Sequence, residues 1–314
     1  MSRLKRILIF GSGRWAMNFL SASVRVSSVE VVGLVSGRAR DHFGPTPVFR
    51  SVSDAMRVTQ VDGAVLATNP QSNRQILRDV FNLSIPVLCE KPVVLAHQFS
   101  SKADMILYFS ELEKYSILVN HYQSGHARFL GWLETFCIRH VVAIRIYEGS
   151  CGPLRSYGAL HDWGPHALAV LLLIVGFGAD PKILDVKCSE CNAHEIWNVS
   201  LSIDGIAASP LAVSLCFGNG FCQKRRAVEI VMADGNVTEF DFTEETSWID
   251  LSNRDSTDQS DYEYCDMFEM QLNRLRSIID KPKVTIDHSL LMAKRISVLL
   301  YDIDKVSSIS LSDP

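Results

Sequence analysis

The sequence predicts an α/β protein: a doubly wound parallel sheet at the amino terminus, then an α+β domain with a large, mostly antiparallel open sheet. Three observations lead there. The apolar run Arg6-Ile7-Leu8-Ile9-Phe10 passes directly into Gly11-Ser12-Gly13-Arg14-Trp15-Ala16, after which Trp15, Ala16, Phe19 and Leu20 recur at helical spacing. Short apolar runs then alternate with helical stretches as far as Asn120, the pattern of βαβ units. Beyond Asn120 the strand-like runs follow one another with only turn signals between them, the pattern of an antiparallel sheet. The expected division is a dinucleotide-binding domain over residues 1–120 and a second α/β domain over residues 121–314.

Each element has its own signal. The first strand is apolar on both faces, as a buried parallel strand must be. The second is read over Glu30 to Val35 and the third over Pro47 to Arg50. The connection between them is short and carries Gly44, Pro45 and Pro47, so the second crossover helix is expected to be shortened or lost. Ser53-Asp54 is read as the cap of a short helix ending at Val58. A fourth strand is placed at Val61 to Ala67, a helix at Ser72 to Phe81, a fifth strand at Ile85 to Leu88, a helix at His97 to Glu113 and a last strand at Ile117 to Asn120. In the second half, Arg128 to Ile138 reads as helix and His140 to Tyr147 as strand. Further strands are read at Ile183 to Cys188, Ile196 to Ile203, Leu211 to Phe217, Ala227 to Met232 and Val237 to Phe242. Ser252 to Asp261 reads as a polar loop, and helices at Cys265 to Asp280 and His288 to Ile303 close the chain.

Composition narrows the classes. The 314 residues are 47% hydrophobic and 21% charged, which suits a globular protein of about two domains. A net charge of −4 gives no ground for a nucleic-acid or anionic-membrane partner. The basic-then-apolar start, Met1 to Phe10, reads as a strand because it runs straight into the glycine turn. The longest apolar stretch, Ala167 to Phe177, is too short to span a bilayer, and a cytoplasmic location is expected. Eight cysteines are scattered without a disulfide framework. The pair Cys188 and Cys191, with His194 nearby, lacks a fourth zinc ligand. No metal is expected.

The glycine turn carries the first chemistry. Gly11 permits the sharp exit from the strand, Gly13 lets backbone approach a pyrophosphate, and Ala16 keeps helix close to strand. The helix amino terminus then presents N–H groups and a positive dipole end to phosphate. At the tip of the second strand an NAD site usually has Asp or Glu for the ribose hydroxyls; here stand Ser36-Gly37-Arg38-Ala39-Arg40. Two guanidinium groups and a hydroxyl suit a 2′-phosphate, so NADP is the expected cofactor, with NAD possible. Thr68-Asn69-Pro70 turns out of a parallel strand at its carboxyl end, where ligands bind in such sheets.

Two further stretches are suited to catalysis. In Cys89-Glu90-Lys91-Pro92 the lysine lies at a strand's carboxyl end, where its ammonium can hydrogen-bond a substrate oxygen and steady alkoxide charge. The competing reading is a surface lysine. In His161-Asp162-Trp163-Gly164-Pro165-His166 the proline is expected in a first helical turn, which starts the helix near Trp163 or Gly164. His166 then suits proton transfer, held neutral by the positive helix end, and Asp162 one turn earlier can orient it or bind substrate hydroxyls. The competing reading is a helix cap beside a core histidine.

The glycine turn, Glu90-Lys91-Pro92 and Asp162-x-Gly164-x-His166, in this order and at these separations, resemble the glucose-fructose oxidoreductase, inositol dehydrogenase and MocA-type family over nearly the whole chain. The resemblance implies a Rossmann domain followed by an α/β domain whose open sheet often packs between subunits, hence a homodimer or homotetramer. It implies NAD or NADP bound at Gly11, Ser12, Gly13, Arg14, Trp15, Ser36, Gly37, Arg38, Thr68, Asn69, Glu90 and Lys91. It implies a sugar-like alcohol or ketone as substrate, with Lys91, Asp162 and His166 as catalytic residues. Ser36 with Arg38 resembles the NADP-using members. The chain departs from the family at Asn69, where proline is common, at Asn73, near the usual histidine, and at Asn120-His121-Tyr122-Gln123, where an aromatic-arginine pattern is common. The expected activity is hydride transfer between nicotinamide and a keto-sugar or polyol. The alternatives are a non-catalytic metabolite sensor and a reductase of C=N bonds or tetrapyrroles.

Overall fold

The apolar run near the amino terminus is a central strand of a seven-stranded sheet in the computed structural model, which describes residues 3–37, 42–191, 194–243, 248–249, 264–280 and 287–310. The strands are β1 (Lys5–Phe10), β2 (Val29–Val35), β3 (His42–Phe43), β4 (Thr46–Phe49), β5 (Gly63–Leu66), β6 (Val87–Cys89) and β7 (Ile117–Val119), in the spatial order β3-β4-β2-β1-β5-β6-β7. All pairs are parallel except β3 with β4. Ile7, Leu8 and Ile9 are fully buried, because parallel strands are covered on both faces. Among the described residues, four α-helices belong to this half of the sequence: α1 (Arg14–Ser23), α2 (Val52–Val58), α3 (Pro70–Phe81) and α4 (Lys102–Leu112). Among the described residues no helix lies between β2 and β4, as the proline-rich connection predicts; the antiparallel β3–β4 pair stands there instead.

The second sheet is built after α5 (Ala127–Leu133). Its strands are β8 (Val141–Cys151), β9 (Lys182–Cys191), β10 (His194–Ile203), β11 (Leu211–Gly218), β12 (Gly220–Met232) and β13 (Val237–Asp241), ordered β13-β12-β8-β11-β10-β9. Only the β8–β11 pair is parallel. One face carries Ile144, Ile146, Val199, Leu201, Val213, Leu215, Val228 and Ile230, all buried and one cluster with helix α6 (Gly158–Val175).

Two further strands, β14 (Trp248–Ile249) and β15 (Tyr264–Cys265), and two helices, α7 (Met267–Asp280) and α8 (His288–Ser310), follow among the described residues. By its contacts the chain divides into two units, each discontinuous in sequence. One holds Met1–Val94, Ile106–Gly125 and Ser247–Leu291; the other holds Leu95–Met105, His126–Thr246 and Met292–Pro314. Helix α7 therefore belongs with the parallel sheet. Its Phe268 meets Phe19 edge-on at 4.9 Å and Trp15 at 5.6 Å, and its Leu272 and Leu275 are fully buried in the same cluster as Ile7 and Ile9.

Several local expectations shift. Helix α2 is capped by Ser51, whose Oγ accepts from the Asp54 N–H at 3.1 Å, two residues before the expected cap. Helix α3 starts at Pro70, because Asn69 caps it by accepting from the Gln71 N–H at 3.0 Å. The helix expected from His97 is a 3-10 turn, Ala96–Gln98, followed by α4. The expected loop at Ser252 to Asp261 lies outside the described residues.

The largest correction concerns α6. It begins at Gly158, not near Trp163, so Pro165 sits inside the helix and His166 about two turns from its start. Three features explain this. Gly158 adopts φ +77°, which glycine takes without strain. The Glu195 carboxylate accepts from the Ala159 N–H at 2.8 Å and so satisfies one of the N–H groups at the helix start. Burial of every residue from Ala167 to Leu172 offsets the interior proline's cost of about 3 kcal/mol. The longer helix is also, among the described residues, the one element long and apolar enough to cross a membrane; 67% of it is buried within the protein, as for a core helix.

Candidate functional site

The β1–α1 turn has the features a pyrophosphate cradle needs. Gly11 sits at φ +112°, and an added Cβ would lie 2.5 Å from the Ala67 carbonyl oxygen. Its N–H donates to the Val35 carbonyl at 2.8 Å, which ties the turn to the neighbouring strand. Gly13 is the extended residue before α1. Nothing lies within 4 Å of where its Cβ would be, and no side chain caps the helix start. The turn is therefore open on the side where the helix N–H groups point, and it fits a dinucleotide phosphate. Arg14 is exposed, and the half-buried Trp15 packs on Phe268.

At the tip of β2, Ser36 Oγ lies 2.8 Å from Ser12 Oγ, and the Ser36 N–H donates to the Phe49 carbonyl at 2.9 Å. Two serine hydroxyls thus meet at the turn where a ribose would lie in such a fold. Gly37 is exposed. Arg38 and Arg40 lie outside the described residues.

Strands β1, β5 and β6 are adjacent and parallel, with Phe10, Leu66 and Cys89 in register. Gly11, Ala67 and Glu90 therefore leave the sheet along one edge. Thr68 and Asn69 continue from β5, and Lys91 from β6. Lys91 is half-buried, and its bond to Pro92 is cis. Glu90 is buried at 7% exposure and accepts from Asn120 Nδ2 at 2.6 Å. Burial raises its pKa to about 7, against the opposing pull of that hydrogen bond and of Lys91. His121 is buried at 3% exposure and held neutral, its pKa lowered to about 3 by burial and then by the positive charges of Lys91 and Arg274.

Asn73, Asn120 and His121 are buried polar residues near the Lys91 segment that stand outside the site read from the sequence, where they appear only as departures from the family pattern. A polar residue in a buried position next to a strand end is the physical signal they share.

In the other unit, Asp162 and His166 are one turn apart on α6 and so share a side of it. Tyr157 Oη donates to Asp162 Oδ1 at 3.4 Å, and Arg155 Nε stands 3.8 Å from Oδ2. His166 is buried, with its ring 6.1 Å from that of Trp163. Because His166 lies well inside the helix, the positive dipole end does not reach it; the effect fades within the first turn. His161, directly before Asp162, is a core histidine: its Nε2 accepts from the Ala96 N–H at 3.3 Å, and burial lowers its pKa to about 4. Gly164 admits Leu300, which would be 2.7 Å from an added Cβ.

Among the described residues, no cluster of three or more His, Cys, Asp or Glu is placed to hold a metal. Cys188 and Cys191 both lie in β9, where residues three apart point to opposite faces.

The glycine turn opening a helix, on the carboxyl edge of a parallel sheet, defines a dinucleotide-binding protein of the Rossmann type. Residues 5–118 match the family described as "Oxidoreductase family, NAD-binding Rossmann fold", the GFO_IDH_MocA family. The rhizopine catabolism protein MocA of Rhizobium meliloti is 25% identical over 190 residues, 54% of this chain. That match spans 57% of the relative's own length. Among solved structures, GenD2 from gentamicin A biosynthesis, in complex with NAD, superposes with a TM-score of 0.73 at 14% identity, covering 99% of this chain and 96% of that one. A myo-inositol dehydrogenase from Corynebacterium glutamicum gives a TM-score of 0.68 at 12% identity, covering 98% and 97%. At such identities these structures establish the shared fold.

Proposed function

We propose that the chain is an NAD(P)-dependent oxidoreductase acting on a sugar-like alcohol or ketone, a polyol or keto-sugar. The observation that carries this reading is the shared edge of the first sheet, where the open glycine turn after β1 and Lys91 after β6 both leave parallel strands at their carboxyl ends. Matched relatives with inositol dehydrogenase and rhizopine catabolism in their names support the substrate class.

In this reading the α1 amino terminus, Gly11, Ser12, Gly13, Arg14 and Trp15 hold the pyrophosphate side, with Thr68, Asn69 and Glu90 lining the same edge. When bound there, a nicotinamide supplies or takes the hydride. Lys91 hydrogen-bonds the substrate oxygen and stabilises its negative charge. His166 gives or takes the proton of that oxygen, and Asp162 orients the imidazole. Ser36, Gly37 and Arg38 receive the adenosine ribose, and their chemistry favours the 2′-phosphate of NADP. The assignment gives cofactor binding to residues 1–120, and substrate binding and assembly of a homodimer or homotetramer to residues 121–314, in a cytoplasmic protein.

The test is a panel of polyols, sugars and keto-sugars followed by NADPH and NADH absorbance. Turnover on at least one, lost in Lys91→Ala while NADPH still binds, supports the reading. A Lys91→Ala protein that turns over at the wild-type rate refutes it. Equal rates with both cofactors refute the NADP preference alone.

A further inference from the structure

The geometry points to Asn73 as the positioning residue of Lys91. The inference rests on the reading of Lys91 as the residue that contacts the substrate oxygen.

Asn73 lies in the first turns of α3 with 1% of its surface exposed. Its amide joins three chain segments. Oδ1 accepts from Thr68 Oγ1 at 2.6 Å, at the exit of β5. Nδ2 donates to the carbonyls of Val93 at 3.1 Å and Pro92 at 3.4 Å, and lies 3.8 Å from Cys89 Sγ at the end of β6. The segment so gripped, Cys89 to Val93, has Lys91 at its centre.

The side-chain chemistry is selective. The job requires an acceptor toward Thr68 and a donor toward backbone carbonyls, both on one short, stiff side chain. An amide has both. A carboxylate of the same shape keeps the acceptor and loses the donor. An alanine loses both and leaves buried carbonyls without their partner. Imidazole offers one donor and one acceptor, so histidine is the nearest functional substitute. Because the lysine ammonium hangs on a flexible four-carbon stem, the backbone beneath it decides where the charge stands. Slack in that backbone moves the ammonium off the reacting oxygen, and displacements near 1 Å cost about 100-fold in rate.

Asn73→Ala, Asn73→Asp and Asn73→His are compared with wild type and Lys91→Ala in the full-length protein. Two readouts are taken: kcat and KM on the best substrate of the panel, and the rate at which Lys91 itself is acetylated by acetic anhydride across pH, read by mass spectrometry of its peptide. Asn73→Ala and Asn73→Asp are expected to lower kcat ~10- to 100-fold, with KM for NADPH within about twofold of wild type, and to shift the pH profile of Lys91 acetylation. Asn73→His is expected to restore both. Unchanged kcat and an unchanged Lys91 profile in Asn73→Asp, with only thermal stability reduced, would overturn the inference. If Lys91→Ala turns over normally while the acetylation profile still moves with Asn73, the clamp stands and the functional reading falls. Isosteric Asn73→Asp keeps the test open should Asn73→Ala fail to fold.

Discussion

Asn120 Nδ2 donates to Glu90 Oε1 at 2.6 Å, with both residues shut off from solvent beside the lysine that follows the strand. The pair sets a pH dependence. Burial raises the Glu90 pKa from 4.5 to about 7. A raised folded-state pKa means the native state holds a proton that the unfolded chain has released. The contribution is therefore fully present below about pH 4.5 and is lost as pH climbs through about 7. Glu90→Gln should flatten this slope and gain stability relative to wild type at pH 8, by up to about 3 kcal/mol. Urea midpoints at pH 5 and pH 8 measure it; an equal difference at both pH values contradicts it.

The histidines act in the opposite sense. His121, His126 and His161 have pKa values lowered to about 3, 4 and 4, each chiefly by burial. Depressed histidines are protonated first in the unfolded chain, so their contribution is present above about pH 6.5 and disappears as pH falls toward 4 and below. His121→Gln should make the acid limb of the stability curve shallower. Thermal melts between pH 7 and pH 4 read this directly.

The two turn glycines should separate fold from binding. Gly11→Ala forces a side chain into φ +112° with its Cβ 2.5 Å from the Ala67 carbonyl oxygen, and should cost at least about 1–3 kcal/mol of stability. Gly13→Ala meets no atom within 4 Å and should leave the melting temperature nearly unchanged. It should instead weaken NADPH binding, read by nucleotide fluorescence, because the methyl group occupies the approach to the pyrophosphate. Loss of stability without loss of binding in Gly13→Ala would contradict the assignment of the turn.

In the proposed reading, Ser36, 2.8 Å from Ser12 at the tip of β2, is the handle for cofactor choice. Ser36→Asp places a carboxylate where ribose hydroxyls are bound and where a 2′-phosphate is repelled. The ratio of kcat/KM for NADPH over NADH should fall by about tenfold or more, for a repulsion of about 1.4 kcal/mol. A ratio unmoved by the substitution removes Ser36 from the ribose site.

In the antiparallel sheet, Arg226 Nε donates to Glu148 Oε2 at 2.8 Å across β12 and β8, with the Glu148 side chain fully buried. Burial lowers the Arg226 pKa to about 10. Arg226→Met alone should cost about 3–5 kcal/mol, because it removes the positive charge paired with a buried carboxylate. The double variant Glu148→Leu/Arg226→Met should recover most of that loss. Chemical denaturation of the two singles and the double gives the coupling.

Much of the architecture is legible in the chain because it rests on local rules. The run Ile7-Leu8-Ile9 has no polar face to turn outward, so it is a covered strand, and the glycine turn after it needs φ values that glycine adopts freely. The prolines near Gly44 speak for a shortened or lost second crossover helix, and among the described residues β3–β4 stands there. The start of α6 was not legible, because Pro165 reads as a helix opening. The bond that moves the opening back to Gly158 comes from Glu195, on a strand far away in the sequence.

The sequence alone determined the Rossmann class, the glycine turn and the position of Lys91 after its strand, since each follows from residue type and spacing within a short window. Tertiary structure alone decided that α7 joins the parallel sheet through Phe268, Leu272 and Leu275, that His166 lies beyond reach of its helix dipole, and that Asn73 grips the chain on either side of Lys91. Those outcomes depend on groups distant in sequence sharing one buried volume, where an unpaired polar atom is costly and each hydrogen bond must find its partner wherever the fold brings it.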